Sequence, residues 1–446
     1  MLNIARPFFW LLFYLVILYI RPQEYVPSLI GTPVVPVSLS IATGVWLLGQ
    51  EKHFAAPQHG LMLALTAAIA LSVLATGWVI GAVNAVTRFV PTLLVFYMVA
   101  TSVDSIKRFR QICLLLSALS VVMAVHGIKQ IATEGGIGWT GAETIQGRIT
   151  YLGFLNDPND LSMAFLISLP LTLYLARTRG SVVLRLLSFA AAGVTLYGIY
   201  LCNSRGSILG LGSMLTLYVA RRFGIVRGVL VLPVLVGILT VFSPSRSGNL
   251  SLDDESAAGR VDAWYEGFDM FFSHPLLGVG AGLFGDHNQL TAHNSFVLAI
   301  AELGLVGYFV WFTILSISAL MLWRLLTMPE PPATPKASES ELAWRVQKRD
   351  TDPQDPPSWV DIQAAAAALA YAFVGALVAA LFLSRTYVVF LYLMVALVVA
   401  VYQLAGRHWP ALTPVRLGSM FGRLLALTIA SIVGFWLLTR LLLSFG

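Results

Sequence analysis

Three residues have types and settings suited to chemistry on a phosphate-bearing ligand. Arg205 sits in Asn203-Ser204-Arg205-Gly206-Ser207, a tight polar break between two apolar runs. Arg260 lies in Ala258-Gly259-Arg260-Val261-Asp262-Ala263-Trp264, just after the acidic run Asp253-Asp254-Glu255. A guanidinium is a planar fork of donors that meets phosphate oxygens bidentately, which an ammonium cannot do. His293, in Ala292-His293-Asn294-Ser295, falls in or just before the first turn of a long apolar run. A helix N-terminus disfavours the imidazolium, so the ring stays neutral and able to accept a proton. Arginines that neutralise an anion, beside a neutral imidazole, are the parts of a general-base step with a charged leaving group. The competing readings are an ion pair of Arg260 with the acidic run and a His293 that caps its own helix.

Other residues take second place. Arg148 precedes Asn156-Asp157-Pro158-Asn159-Asp160, which reads as a helix N-cap region with Asp157 as the cap. Arg385 occupies the short turn Ser384-Arg385-Thr386. Both are candidates for the same anion. Arg21, Arg88, Arg246 and Arg440 read as helix-end arginines that snorkel to lipid headgroups. His274, before Pro275, reads as structural, and His287 ranks below His293 because no helix follows it directly. Glu302, in Ala301-Glu302-Leu303-Gly304, is an acid inside an apolar helix and so a functional suspect. Nine residues beyond His293, at about 100° per residue, it projects from the opposite face and cannot orient that ring. It reads as a buried partner of a loop or neighbouring helix, with Asn294 as a further supporting residue. No cluster of His, Asp and Glu on that side has ligand spacing, so neither a metal nor another cofactor is expected.

The elements that must position these residues are membrane helices. Of 446 residues, 57% are hydrophobic and only 11% charged, and the mean hydropathy is +0.79. Runs near 20 apolar residues recur along the chain, each long enough to cross a hydrocarbon core of about 30 Å. They predict an all-α, polytopic bundle of about 12–13 spans, near 7–21, 34–50, 61–79, 86–102, 111–131, 159–176, 183–203, 206–220, 225–243, 293–325, 361–383, 387–405 and 421–443. The run 293–325 is too long for one perpendicular span and is expected to tilt or to project beyond the lipid. The first run lacks a small-residue cleavage site and reads as an uncleaved helix. Cys113 and Cys202 lie inside apolar runs and suggest neither a disulfide nor a metal.

Alternate connections are strongly basic: Lys107-Arg108-Phe109-Arg110, Arg177 to Arg185, Arg221 to Arg227, and Arg407 to Arg423. The positive-inside rule assigns that side, with the Pro-rich loop 326–360, to the cytoplasm. The N-terminus is then inside and the C-terminus outside, and the net charge of +6 reflects inner loops rather than nucleic-acid binding. The outward face carries two long connections, about 132–158 and 244–292. Its basic residues are almost all Arg, with Lys129 the exception, although the insertion rule depletes positive charge there.

Taken in order, Asn203-Ser204-Arg205-Gly206, Gly259-Arg260, Trp264, His274-Pro275-Leu276-Leu277-Gly278-Val279-Gly280, His293-Asn294-Ser295 and Ala301-Glu302-Leu303-Gly304-Leu305-Val306-Gly307 resemble the core signature of the O-antigen ligase and polymerase superfamily. Arg148 with Asn156-Asp157-Pro158-Asn159 is similar to a weaker family element. The likeness covers roughly 145–310, within a single integral membrane domain spanning 1–446. It implies a GT-C-type glycosyltransferase of the bacterial inner membrane with its active site at the periplasmic leaflet. Such an enzyme moves a glycan from polyprenyl diphosphate to an acceptor hydroxyl without a metal. Arg205 and Arg260 would grip the diphosphate, with Arg148 and Arg385 in support, and His293 would be the base or position the acceptor. An in-line attack would invert the anomeric centre.

The resemblance also implies partners: a polyprenyl-diphosphate-linked glycan donor, a glycan or lipid-linked acceptor, the bilayer, and for a polymerase a chain-length regulator. The compact stretch from Arg260 to His293 favours a polymerase of O-antigen or exopolysaccharide repeat units over a ligase to a lipid A-core or protein acceptor. A glycolipid flippase belongs to a different class and would want charges along a cavity through the bilayer. Here the mid-span charges are few. The segment Arg21-Pro22-Gln23-Glu24-Tyr25 decides nothing between these readings.

Overall fold

Lipid offers no hydrogen-bond partners, so apolar runs of this length must satisfy their own backbone, and they do so as helices. The computed structural model describes residues 7–49, 52–177, 181–231, 255–330 and 357–444. Among the described residues the helices are α1 (Pro7–Ile20), α2 (Val34–Leu48), α3 (Pro57–Leu74), α4 (Val79–Ser102), α5 (Ile106–Ala132), α6 (Pro158–Arg177), α7 (Val182–Cys202), α8 (Arg205–Phe223), α9 (Ile225–Val229), α10 (Glu255–Ser273), α11 (Phe284–His287), α12 (Ser295–Thr327), α13 (Trp359–Ala380), α14 (Val389–His408) and α15 (Phe421–Leu443). The only β pairing among them is a pair of isolated bridges in the 137–148 loop. The protein is thus an all-α, polytopic membrane protein.

Nine described helices are long and apolar enough to cross a membrane: α3 to α7 and α12 to α15. Helices α1, α2 and α8 stand where spans are expected, but the first two have only 14 and 15 residues. The expected span 225–243 starts as α9 and otherwise lies mostly outside the described residues. So do Arg246, Asp253, Asp254 and most of the 326–360 loop.

Capping chemistry explains several helix starts. Ser105, Ser181 and Ser358 each accept a hydrogen bond from a backbone N–H of the turn they precede. The helices pack around α6 and α14, whose most apolar stretches are 89% and 83% buried, against 28% for α7 and 22% for α15. The last two therefore turn much of their apolar surface to lipid.

The two ends of the bundle differ in chemistry. At one end Arg110 pairs with Asp361 at 2.8 Å, joining the starts of α5 and α13. Arg324 of α12 donates there to the Tyr402 hydroxyl and the Thr413 carbonyl. At the far end of α13, about 33 Å away at 1.5 Å per residue over 22 residues, the 383–386 segment meets the first turns of α6 and α12. The sequence-predicted site residues gather at this second end.

Helix α12 is not a single tilted rod. Gly304 takes φ 59 and ψ −166, a conformation open essentially to glycine alone, and breaks the helix. The 275–280 loop fills the break. Val279 and Gly280 N–H donate to the carbonyls of Ala301 and Glu302 at 3.0 and 3.1 Å. Leu305 and Val306 N–H donate to the carbonyls of Pro275 and Leu276 at 2.8 and 3.1 Å. Every backbone group freed on either side of Gly304 in these four bonds is satisfied by the loop, as a buried chain requires.

Candidate active site

His293 stands immediately before α12, one residue ahead of the true cap. Asn294 Oδ1 accepts from the N–H groups of Phe296 and Val297 at 2.9 and 3.3 Å. His293 is therefore relieved of capping, and its φ of 46 places it in the left-handed region. A non-glycine residue held there costs about 1 kcal/mol and needs its surroundings to hold it. The His293 N–H donates to Ser384 Oγ at 2.8 Å, and the Thr291 hydroxyl donates to the same oxygen at 2.6 Å.

The 383–387 segment forms the cradle. Ser295 Oγ donates to the Leu383 carbonyl and accepts from the Arg385 N–H at 2.9 Å. Thr386 Oγ1 donates to the Ser295 carbonyl at 2.9 Å. The Arg385 guanidinium forks onto Asp160 of α6 through Nε and Nη2, both at 2.5 Å. Asp160 is almost wholly enclosed, with its side chain 2% exposed. Arg385 therefore reaches the site with its fork already engaged by a carboxylate, and contributes charge more than free donors.

Arg148 is also committed. Its Nε donates to the Cys202 carbonyl at 2.8 Å and its Nη2 to Asn159 Oδ1 at 2.7 Å. It thereby ties the end of α7 to the first turn of α6. Asp157 caps that turn, accepting from the Asn159 N–H at 2.7 Å. One residue beyond Cys202, Asn203 adopts φ 45 and ψ 48 and ends α7. The chain turns at Ser204, and α8 begins with Arg205, whose side chain is exposed. Gly206 allows this turn to press on the cradle, because a Cβ there would lie 2.9 Å from Phe382 Cβ.

Arg260 approaches from α10. One turn further on, Trp264 Nε1 donates to the Ala292 carbonyl at 2.9 Å, docking that face of α10 on the residue before His293. Burial, then the charge of Arg205, pull the Arg260 guanidinium below its usual pKa, though it stays a cation at working pH. Burial lowers the His293 pKa from 6.5, Arg260 and Arg385 lower it further, and Asp157 opposes them. Arg205, Arg260, Arg385, Asp157 and His293 thus share one electrostatic neighbourhood. The acidic run Asp253-Asp254-Glu255, the alternative partner for Arg260, lies outside the side chains described.

Glu302 belongs to the support of this site. Its Oε1 accepts from the Phe284 N–H at 3.3 Å, and its Oε2 accepts from the Tyr387 hydroxyl at 2.8 Å. The carboxylate joins the start of α11 to the cradle that holds His293. Three contributors were not singled out from sequence: Asp160, Ser384 and Tyr387. Asp160 carried a signal, a second acid in the first turn of a helix that Asp157 already caps. Ser384 and Tyr387 carried none. Arg21 stands apart, in a left-handed turn where it bonds Glu24 and lies against Gly153.

The fold and this end of the bundle define a polytopic helical membrane protein with a cationic, histidine-containing site. A family model described as O-antigen ligase matches residues 163–312, which include Arg205, Arg260, His293 and Glu302. That match supports a place in the O-antigen ligase and polymerase superfamily. A second model, described as a family of unknown function, matches residues 1–194. No curated protein matches the chain.

Proposed function

We propose that the protein is a glycosyltransferase that takes a glycan from polyprenyl diphosphate at the periplasmic leaflet and passes it to an acceptor hydroxyl, elongating O-antigen or exopolysaccharide repeat units. The observation that carries this reading is the succession of Arg205 beside Arg260 and of Arg260 beside a His293 whose pKa is lowered by burial and by that arginine. The acceptor oxygen attacks the anomeric carbon from the face opposite the leaving group. The bond from that carbon to the diphosphate breaks, the hydroxyl proton passes to the His293 imidazole, and the anomeric centre inverts. Arg205 and Arg260 neutralise the departing polyprenyl diphosphate with donors held in place beforehand, the kind of electrostatic help a divalent ion gives elsewhere. Arg385, held by Asp160, adds positive potential, and Arg148 braces the α6–α7 corner.

The basic end carrying Arg110 and Arg324 supports a cytoplasmic assignment for that side, which leaves the site facing the periplasm in a bacterial inner membrane. A ligase to a lipid or protein acceptor is the second reading, favoured by the description of the matched family. The test is purified protein in lipid nanodiscs given polyprenyl-diphosphate-linked repeat units. Chain growth without another acceptor supports polymerisation, and transfer only after a lipid A-core or protein acceptor is added supports ligation. Release of no polyprenyl diphosphate under either condition overturns both.

A further inference from the structure

Away from His293, α10 and α15 line an open cleft of about 80 Å³. Its lining includes Tyr265, Phe268, Asp269 and Phe272 from α10, with Trp436 and Arg440 from α15. At 100° per residue these α10 positions centre roughly a third of a turn from the Arg260–Trp264 face. The cleft therefore stands beside the candidate active site rather than within it. The Arg440 guanidinium lies 5.3 Å from the Tyr265 ring and 5.7 Å from the Trp436 ring. The described ion pairs do not join it to Asp269. Helix α15 is the least buried of the candidate spans, and Leu437, Leu441 and Phe272 are more than half exposed beside the cleft.

These groups make a selective demand on an occupant. A simple anion that meets Arg440 faces Asp269, and a simple cation that meets Asp269 faces Arg440. A headgroup carrying both charges a few ångströms apart satisfies both. Trp436 and Arg440 sit near the end of the lipid-facing helix α15, where aromatic and basic side chains favour the interface. We infer that the cleft binds the headgroup of a zwitterionic phospholipid, with its phosphate on Arg440 and its ammonium at Asp269. Its acyl chains lie along the exposed leucines of α15.

Native mass spectrometry of the full-length protein, offered equal amounts of phosphatidylethanolamine and phosphatidylglycerol, tests this. The wild type retains phosphatidylethanolamine about tenfold better, the scale of one charge-assisted hydrogen bond. Arg440→Gln loses that retention, and Arg440→Lys, as a control for folding, keeps part of it. Asp269→Asn removes the ammonium partner and shifts preference toward phosphatidylglycerol. Equal retention of both lipids by the wild type, or an unchanged preference in Asp269→Asn, overturns the inference. Retention of free phosphoethanolamine as strongly as the lipid also overturns it, because the chains would then play no part. The readout is binding, so it is independent of the proposed transfer reaction.

Discussion

At the residue scale, His293 and the arginines near it make separable predictions. His293→Ala removes the proposed base, and loss of about 10²- to 10⁴-fold in transfer rate is expected with normal membrane expression. The lowered His293 pKa sets the sign of the pH dependence. The neutral ring persists to below pH 6.5, so activity holds through neutrality and falls as pH drops through that lowered value. Arg260→Gln removes the largest charge contribution to the depression, so the acid limb of the rate profile moves to higher pH on top of any loss in rate. An acid limb that stays in place would separate Arg260 from the histidine. Arg205→Lys keeps the charge but loses the fork. Its transfer rate should fall nearly as far as that of Arg205→Ala, measured with the same lipid-linked substrate.

At the element scale, the break in α12 and the loop that fills it explain two sequence segments with one structure. Pro275 to Gly280 and Ala301 to Val306 supply the partners of four backbone hydrogen bonds across the break. Gly278, at φ 70, lies so close to α12 that a Cβ would stand 2.4 Å from the Glu302 carbonyl. A Cβ on Gly304 would stand 2.5 Å from the Gly278 N. Neither clash involves a side chain that can swing away. Gly304→Ala should lower the thermal unfolding midpoint in detergent sharply, with a cost of at least about 1–3 kcal/mol from the backbone conformation alone. Glu302→Gln keeps a side-chain oxygen for the Phe284 N–H or the Tyr387 hydroxyl. Glu302→Ala leaves both donors buried without it, at about 1–3 kcal/mol each. Retention of fold and activity should therefore rank Gln above Ala.

At the scale of the whole molecule, the site exists because four separate stretches of chain, 148–160, 202–206, 260–302 and 383–387, meet at one end of the bundle. The 383–387 cradle lies outside both matched segments, yet it holds the His293 backbone and pairs with Asp160. The sidedness follows from the basic end and is directly testable. In a background lacking Cys113 and Cys202, a cysteine placed at Trp139 should react with an impermeant maleimide from the periplasm. One placed at Ser419 should react only after the membrane is opened. The reverse pattern would turn the site to the cytoplasm and remove the periplasmic reading.

The membrane class and the places of twelve helices were legible because a lipid-embedded backbone must bond to itself, which leaves a local apolar signature about 20 residues long. Arg205, Arg260 and His293 stood out as candidates because charge and imidazole are scarce in such a chain. What only the tertiary structure decided are the relations among them. The Arg385 fork is taken by Asp160, the Arg148 fork by Asn159 and the Cys202 carbonyl, and Asn294 rather than His293 caps α12. The long apolar run after His293 is broken at Gly304 because a remote loop supplies the hydrogen bonds that the helix gives up. Partners brought together across 225 residues, as Asp160 and Arg385 are, leave no local periodicity to read, since their pairing energy is set by packing and not by neighbouring sequence.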